Sequence, residues 1–250
     1  MYKLVAVKFI VIMIGLVLLF HSCIEEKVND LDESLFGYQY FPLEIGKYWI
    51  YQVDSTIIDD VGASTIKSSS FVKEEITESY INELGETEYR IERSKSETLN
   101  GDYLITDAWK AELNENFASR TEENLRFIKM VFPISIDIDW NGNHFDELTR
   151  IDVAGERIWV YKDWGNYQVD AKGVELTVNG EAYSNSVIIT QADFESDIEK
   201  RFSKEYYAPE IGLIKKEMII FDTQCICPGE TWFEKAEAGY TLNQILVEHN

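Results

Sequence analysis

The chain has 250 residues, 45 Asp and Glu against 23 Lys and Arg, and a formal net charge of −22. So large an acidic excess repels phosphate backbones and anionic lipid faces, which excludes nucleic acid and a charged membrane surface as expected partners. The length suits one sizeable domain or two small ones, and since single all-β domains of roughly 200–250 residues are common, one is the simpler reading.

The first element in chain order is a targeting segment. Lys3 and Lys8 precede an apolar run from Phe9 to Phe20, and His21, Ser22 and Cys23 follow before the sequence turns acidic at Glu25 and Glu26. A basic start, a short apolar stretch and a small residue at the cut describe a secretory signal. A membrane-spanning helix needs about 20 apolar residues. This run is shorter, and extending it back to Leu4 places Lys8 inside the span. Cys23 directly after Ser22 resembles a bacterial lipoprotein signal, in which the thiol receives diacylglycerol before cleavage. The pattern departs from that type at Phe20 and His21, where Leu and a small residue are usual, so a plain cleaved signal and an uncleaved anchor stay as alternatives. Residues 1–22 are read as the signal and Cys23 as the lipid attachment site. Losing Lys3 and Lys8 with the signal would take the charge from −22 to −24. Residues 23–37 are read as an acidic, flexible tether.

Residues 38–250 read as a single β-rich domain. Pro42 and Gly46 punctuate a turn, after which Trp49, Tyr51 and Val53 share one face at period two. Aromatic and β-branched residues in that alternation mark a half-buried strand. Tyr89 and Ile91 alternate with Glu88, Arg90 and Glu92, and Trp109, Ala111 and Leu113 alternate with Lys110 and Glu112. Further strands are expected at Ile158–Tyr161, Leu176–Val178, Val187–Ile189, Leu213–Phe221 and Thr241–Val247, while Phe194, Ile198 and Phe202 fit a helix or a strand face and are read as strand. Leu84-Gly85, Asn100-Gly101, Asn141-Gly142, Trp164-Gly165-Asn166 and Asn179-Gly180 fall at turns, and Asn-Gly between alternating stretches is a strong hairpin signal. The expected fold is all-β and antiparallel: a strongly curled sheet, as an incomplete barrel or a sandwich, because closure or a second sheet protects the edges. Trp49, Trp109 and Trp159 are expected in the core, whereas Trp164, Tyr206 and Tyr207, near turns, are the better candidates for exposure, with core packing the favoured reading for each.

Four blocks carry a resemblance: Phe41-Pro42-Leu43 through Tyr48-Trp49-Ile50-Tyr51, Trp140-Asn141-Gly142-Asn143, Glu205 through Ile214, and Gly239-Tyr240-Thr241-Leu242. In these the chain resembles a family of uncharacterised outer-membrane or surface lipoproteins of Gram-negative bacteria. The resemblance implies a β-rich exported domain and brings no activity with it.

Chemistry-bearing patterns are few. Asp137, Asp139 and Asn141 followed by Gly142 open like a calcium loop, in which oxygens at that spacing converge on one cation. The twelfth position, which should be a bidentate acid, is Leu148, so a hairpin turning on Asn141-Gly142 is the favoured reading and no metal site is assigned. Cys225 and Cys227 are a disulfide candidate. Extended i and i+2 positions lie about 6.6 Å apart against the usual 5.5–6 Å, so a bend at Pro228 is required; reduced thiols or, less well, metal ligation are the alternatives. With His21 in the signal, His144 and His249 remain, and no nucleophile elbow, P-loop or dinucleotide glycine pattern is present. No catalytic residue and no cofactor are assigned. The expectation is a lipid-anchored protein of the outer membrane or cell surface with a non-catalytic binding or envelope-architecture role. Its partner would be an envelope protein, glycan or lipid. The alternatives are a carrier for an apolar ligand and a polysaccharide hydrolase.

Overall fold

The computed structural model describes residues 35–59, 64–145, 149–153 and 156–250. The signal segment, Cys23 and most of the tether therefore lie outside the described residues. Glu33–Asn250 forms one compact unit, and it reaches back into the segment read as tether: the Phe36 carbonyl accepts a hydrogen bond from the Ile134 N–H, and Phe36 stacks on Tyr38.

A 3-10 turn at Tyr38–Tyr40 leads into β1 (Tyr48–Asp59), β2 (Ser64–Ile81), β3 (Thr87–Ser96), β4 (Leu104–Leu113), β5 (Phe117–Glu122) and β6 (Leu125–Val131). A two-residue strand, β7 (Asp139–Trp140), and a small hairpin of β8 (Ile151–Val153) and β9 (Glu156–Ile158) follow. The chain continues through β10 (Tyr167–Val178), β11 (Glu181–Glu195), β12 (Glu199–Ala208), β13 (Gly212–Asp222), a short helix α1 (Trp232–Lys235) and β14 (Ala238–His249). Twelve strands form one antiparallel sheet in the order β6-β5-β4-β3-β2-β1-β14-β13-β12-β11-β10-β7. Two meanders, β1 to β6 and β10 to β14, are joined by pairing of β1 with β14, in which Val53 faces Gln244 and Ile57 faces Tyr240.

The hairpins follow local chemistry. Asn179 and Gly180, with φ of 50° and 79°, turn β10 into β11 as a two-residue loop whose twist matches the flanking strands. Glu123 and Asn124, at φ of 50° and 64°, do the same between β5 and β6 without any glycine.

Asn141-Gly142 does not turn a hairpin. Asp139 and Trp140 pair with β10, at Gln168 and Tyr167, while the next residues pair with β6. Phe127 bridges Asn143, the Ile128 N–H donates to the Gly142 carbonyl at 2.8 Å, and the His144 N–H donates to the Arg126 carbonyl at 3.0 Å. Five residues thus span from one end of the sheet to the other, so that the curled sheet is nearly closed as a barrel. The hairpin expectation fails because both flanks of the Asn-Gly step find partners in distant strands rather than in each other. Trp140 and Tyr167 fix the seam: the indole N–H donates to the Ile128 carbonyl at 2.8 Å and the phenol to Asn143 Oδ1 at 2.7 Å.

The inward phase of the alternating strands supplies the core, with Trp49, Tyr51, Ile76, Ile91, Ala111 and Phe127 all buried. Ile158–Tyr161 is not a strand: β9 ends at Ile158, and Val160 and Tyr161 are buried in an irregular stretch. Phe194 and Phe202 lie on the neighbouring strands β11 and β12, with Ile198 in the turn between them.

Candidate functional site

Alternation that buries apolar side chains also fixes which charged side chains enter the barrel. Glu74 has the phase of Val72 and Ile76 on β2, and Arg93 that of Tyr89 and Ile91 on β3. Arg120 and Glu122 follow Ala118 on β5, Lys129 follows Phe127 on β6, Glu205 precedes Tyr207 on β12, and Lys216 precedes Met218 on β13. Together they line a cavity of about 190 Å3.

Their charges alternate along a continuous chain of ion pairs. Arg93 Nε lies 3.4 Å from Glu74 Oε1, and Arg120 Nη2 donates to Glu74 Oε2 at 2.7 Å. Arg120 Nε is 3.6 Å from Glu122 Oε1, which receives Lys129 Nζ at 3.0 Å. Lys129 also donates to Glu205 Oε1 at 2.9 Å, and Lys216 Nζ approaches the same oxygen at 3.1 Å. Glu205 Oε2 accepts from the Tyr207 hydroxyl at 2.6 Å. At the solvent end Asp107, half-exposed, stands 3.9 Å from Arg93 Nη1. Two guanidiniums approach the Trp109 ring, Arg93 at 4.3 Å and Arg120 at 4.9 Å from its centroid, and the indole N–H donates to exposed Glu123 at 3.3 Å. Leu43, Trp49, Ile91, Val160 and Leu242 add apolar lining.

Burial of ions is costly unless partners hold them charged. Burial pushes the Glu205 carboxyl up, but Lys129 and Lys216 outweigh it and, with the Tyr207 hydrogen bond, hold it down to about 2. Glu122 is likewise pushed up by burial and pulled well below the usual carboxylate range by Lys129, Lys216 and Arg120. Burial lowers the Lys216 and Arg120 values, yet Glu205 raises the one and Glu74 and Glu122 the other above their ordinary levels. The pairing still leaves donors over. Arg93 Nε and Arg120 Nε are buried without a hydrogen-bond acceptor, although Glu74 and Glu122 oxygens stand 3.4 and 3.6 Å from them.

The sites expected from the sequence lie elsewhere. Cys225 is joined to Cys227 by a disulfide, their Cα atoms 5.3 Å apart, within bonding range. Cys225, Cys227 and Glu230 are the trio of potential metal donors that converges among the described residues, and the disulfide takes its thiolates away. Asp139 accepts from the Asn166 amide at 2.6 Å and Asn141 from the Asn143 N–H at 3.1 Å, so both oxygens serve the seam and its neighbourhood. His144 is exposed. Trp49 is buried, and Trp109 is half-buried at the cavity wall. Trp159 is 41% exposed and lies against Arg150, which corrects its placement in the core. Trp164 and Tyr207 are buried and Tyr206 half-buried, in line with the core packing favoured for each, and Trp164 packs edge-on to Tyr161. The interior charges were missed altogether. Their signal is parity, an ion standing where an apolar residue belongs.

No protein-family model matches the chain, and no curated protein does. Among solved structures it is similar to a Bacteroides fragilis protein described as exported and of YmcC-like fold, at TM-score 0.36 and 12% identity over 84% of this chain and 98% of that one. A Parabacteroides distasonis protein described as a lipoprotein gives TM-score 0.34 and 12% identity, again over 84% of this chain and 98% of its own.

Proposed function

We propose that the chain is an exported lipoprotein, held at the outer membrane or cell surface through acyl groups on Cys23, whose barrel is a non-catalytic binding module for a small ligand. The single observation that carries the binding role is the interior cavity of about 190 Å3, lined by charged and apolar side chains together. Stability alone does not call for the ions buried there, since replacing a buried ion pair by packed apolar residues is commonly neutral or stabilising. Pockets that combine an apolar surface with a few fixed polar groups are the usual form of small-molecule sites.

Two features support a non-catalytic reading over a polysaccharide hydrolase. A glycosidase needs one carboxyl kept protonated as general acid, whereas Glu122 and Glu205 are both shifted the other way by their lysines. Among the described residues that line the cavity there is also no Ser, Thr, Cys or His to serve as nucleophile or base. The reading as a carrier draws on the same cavity, with a charged wall that suits an amphipathic ligand better than a hydrocarbon.

Native mass spectrometry of the protein purified from membranes tests the binding role. The expected spectrum shows an additional small mass that disappears on acid denaturation; the bare protein mass alone, before and after extraction, would count against it. Mass spectrometry of the N-terminal peptide tests the anchor, and a Cys23 free of lipid overturns that part.

A further inference from the structure

We infer that the cavity takes a small organic monoanion, a carboxylate on a ring-sized or short aliphatic body, with the anionic group received by Arg93 and Arg120 beside Trp109. The inference rests on the binding-module reading and names the class of its ligand.

Charge distribution bears on the sign. The chain as a whole is strongly acidic, with 45 acids against 23 bases, yet the cavity is lined by as many cations as carboxylates: Arg93, Arg120, Lys129 and Lys216 against Glu74, Glu122, Glu123 and Glu205. Glu123 is exposed, where water screens its charge, whereas Arg120 and Lys129 are buried, so the field inside the cavity is more positive than the count alone.

Hydrogen-bond accounting points to the place. Arg120 is 9% exposed and its Nε–H has no acceptor; the Nε–H of Arg93 has none either. Buried donors are paired in the great majority of proteins, and each exception asks for a missing partner. A carboxylate presents two acceptor oxygens and suits guanidinium geometry. Both guanidiniums approach the Trp109 ring, at 4.3 and 4.9 Å from its centroid, so the indole is part of the same site.

Volume points to the size. A cavity of about 150 Å3 is enough to hold benzene, and this one measures about 190 Å3. A benzoate-sized molecule is accommodated and a long acyl chain is not. Leu43, Leu125, Val160 and Leu242 contribute apolar surface for its body.

The test is isothermal titration calorimetry of the purified full-length protein with benzoate, benzamide and benzylamine, which share a shape and differ in charge. Benzoate is expected to bind at least about tenfold more tightly than benzamide, as befits charge-assisted over neutral hydrogen bonds, with benzylamine weakest. Arg93→Gln, at the half-exposed end of the ion chain, should weaken benzoate more than benzamide and so close the gap between the two. Circular dichroism and the thermal midpoint establish that this variant is folded. Should it unfold, Trp109→Leu serves instead, and it should weaken benzoate. Equal binding of all three compounds overturns the anion inference while leaving the module reading intact. Binding of none of them overturns the inference, and a bare native mass then removes the module reading as well.

Discussion

Glu205 holds the centre of the interior ion chain. One of its oxygens meets two lysines and the other a tyrosine hydroxyl, all within 3.1 Å. A carboxyl held down to about 2 in the folded protein and near its ordinary value of about 4.3 when unfolded contributes stability that is complete above the unfolded value. That contribution, about 3 kcal/mol by linkage, is lost as pH falls from about 4.5 toward 2. Glu122 adds to the loss in the same direction. The protein is therefore expected to lose stability steeply between about pH 4.5 and pH 2, read as a falling urea midpoint. Glu205→Gln removes the carboxylate and leaves Lys129 and Lys216 with less counter-charge. Its expected cost at pH 7 is about 3–5 kcal/mol, the range for breaking a buried ion pair. Near pH 2 the variant and the native protein should differ far less, and a gap that stays constant with pH would refute the assignment.

At the scale of elements, the weakest point of the barrel is its seam. β7 has only two residues, and closure depends on the backbone of Gly142 passing directly against the Tyr167 ring, where an added Cβ would collide. Gly142→Ala must push β6 and β10 apart or displace Tyr167, at a cost of about 1–3 kcal/mol typical of overpacking. The loss should appear in urea unfolding and as faster amide exchange at Ile128, whose N–H donates to Gly142; unchanged exchange there would show that the seam tolerates the methyl group. The same segment marks what could be read in the sequence. Strands such as β1 and β4 are legible because Trp49, Tyr51 and Val53, or Trp109, Ala111 and Leu113, recur at period two, and Asn179-Gly180 encodes its turn locally. Closure is not legible, since Trp140–His144 draws both partners from residues distant in the chain and offers only an Asn-Gly step that imitates a hairpin. The interior charges sit between these cases. Nothing about Glu74 or Lys216 alone is unusual among so many ions, but Glu74 interrupts the phase of Val72 and Ile76, and Lys216 that of Met218 and Ile220.

At the scale of the whole molecule, charge and anchor work against each other. The exported part would carry −24 once Lys3 and Lys8 leave with the signal, and an acidic body is repelled by an anionic lipid surface. Attraction between a net-acidic domain and an anionic bilayer would not hold the protein in place; on the proposed lipoprotein reading, attachment comes from buried acyl chain, at about 0.8 kcal/mol per methylene, with two chains needed for stable anchoring. Two consequences separate this arrangement from a peripheral protein bound by charge. Washing membranes with about 1 M salt, where the Debye length shrinks to about 3 Å, should release none of the native protein, because no electrostatic attraction is there to screen. Cys23→Ser, by contrast, removes the thiol that is acylated before cleavage, so the variant should accumulate as an unacylated precursor that keeps residues 1–22 and runs larger than the native protein. Immunoblots of pellet and supernatant read both outcomes. Release of the native protein by salt would mean that a surface of the barrel, rather than the lipid, carries attachment. A Cys23→Ser variant that runs at the native size would show that processing does not depend on the thiol and would overturn the lipid anchor.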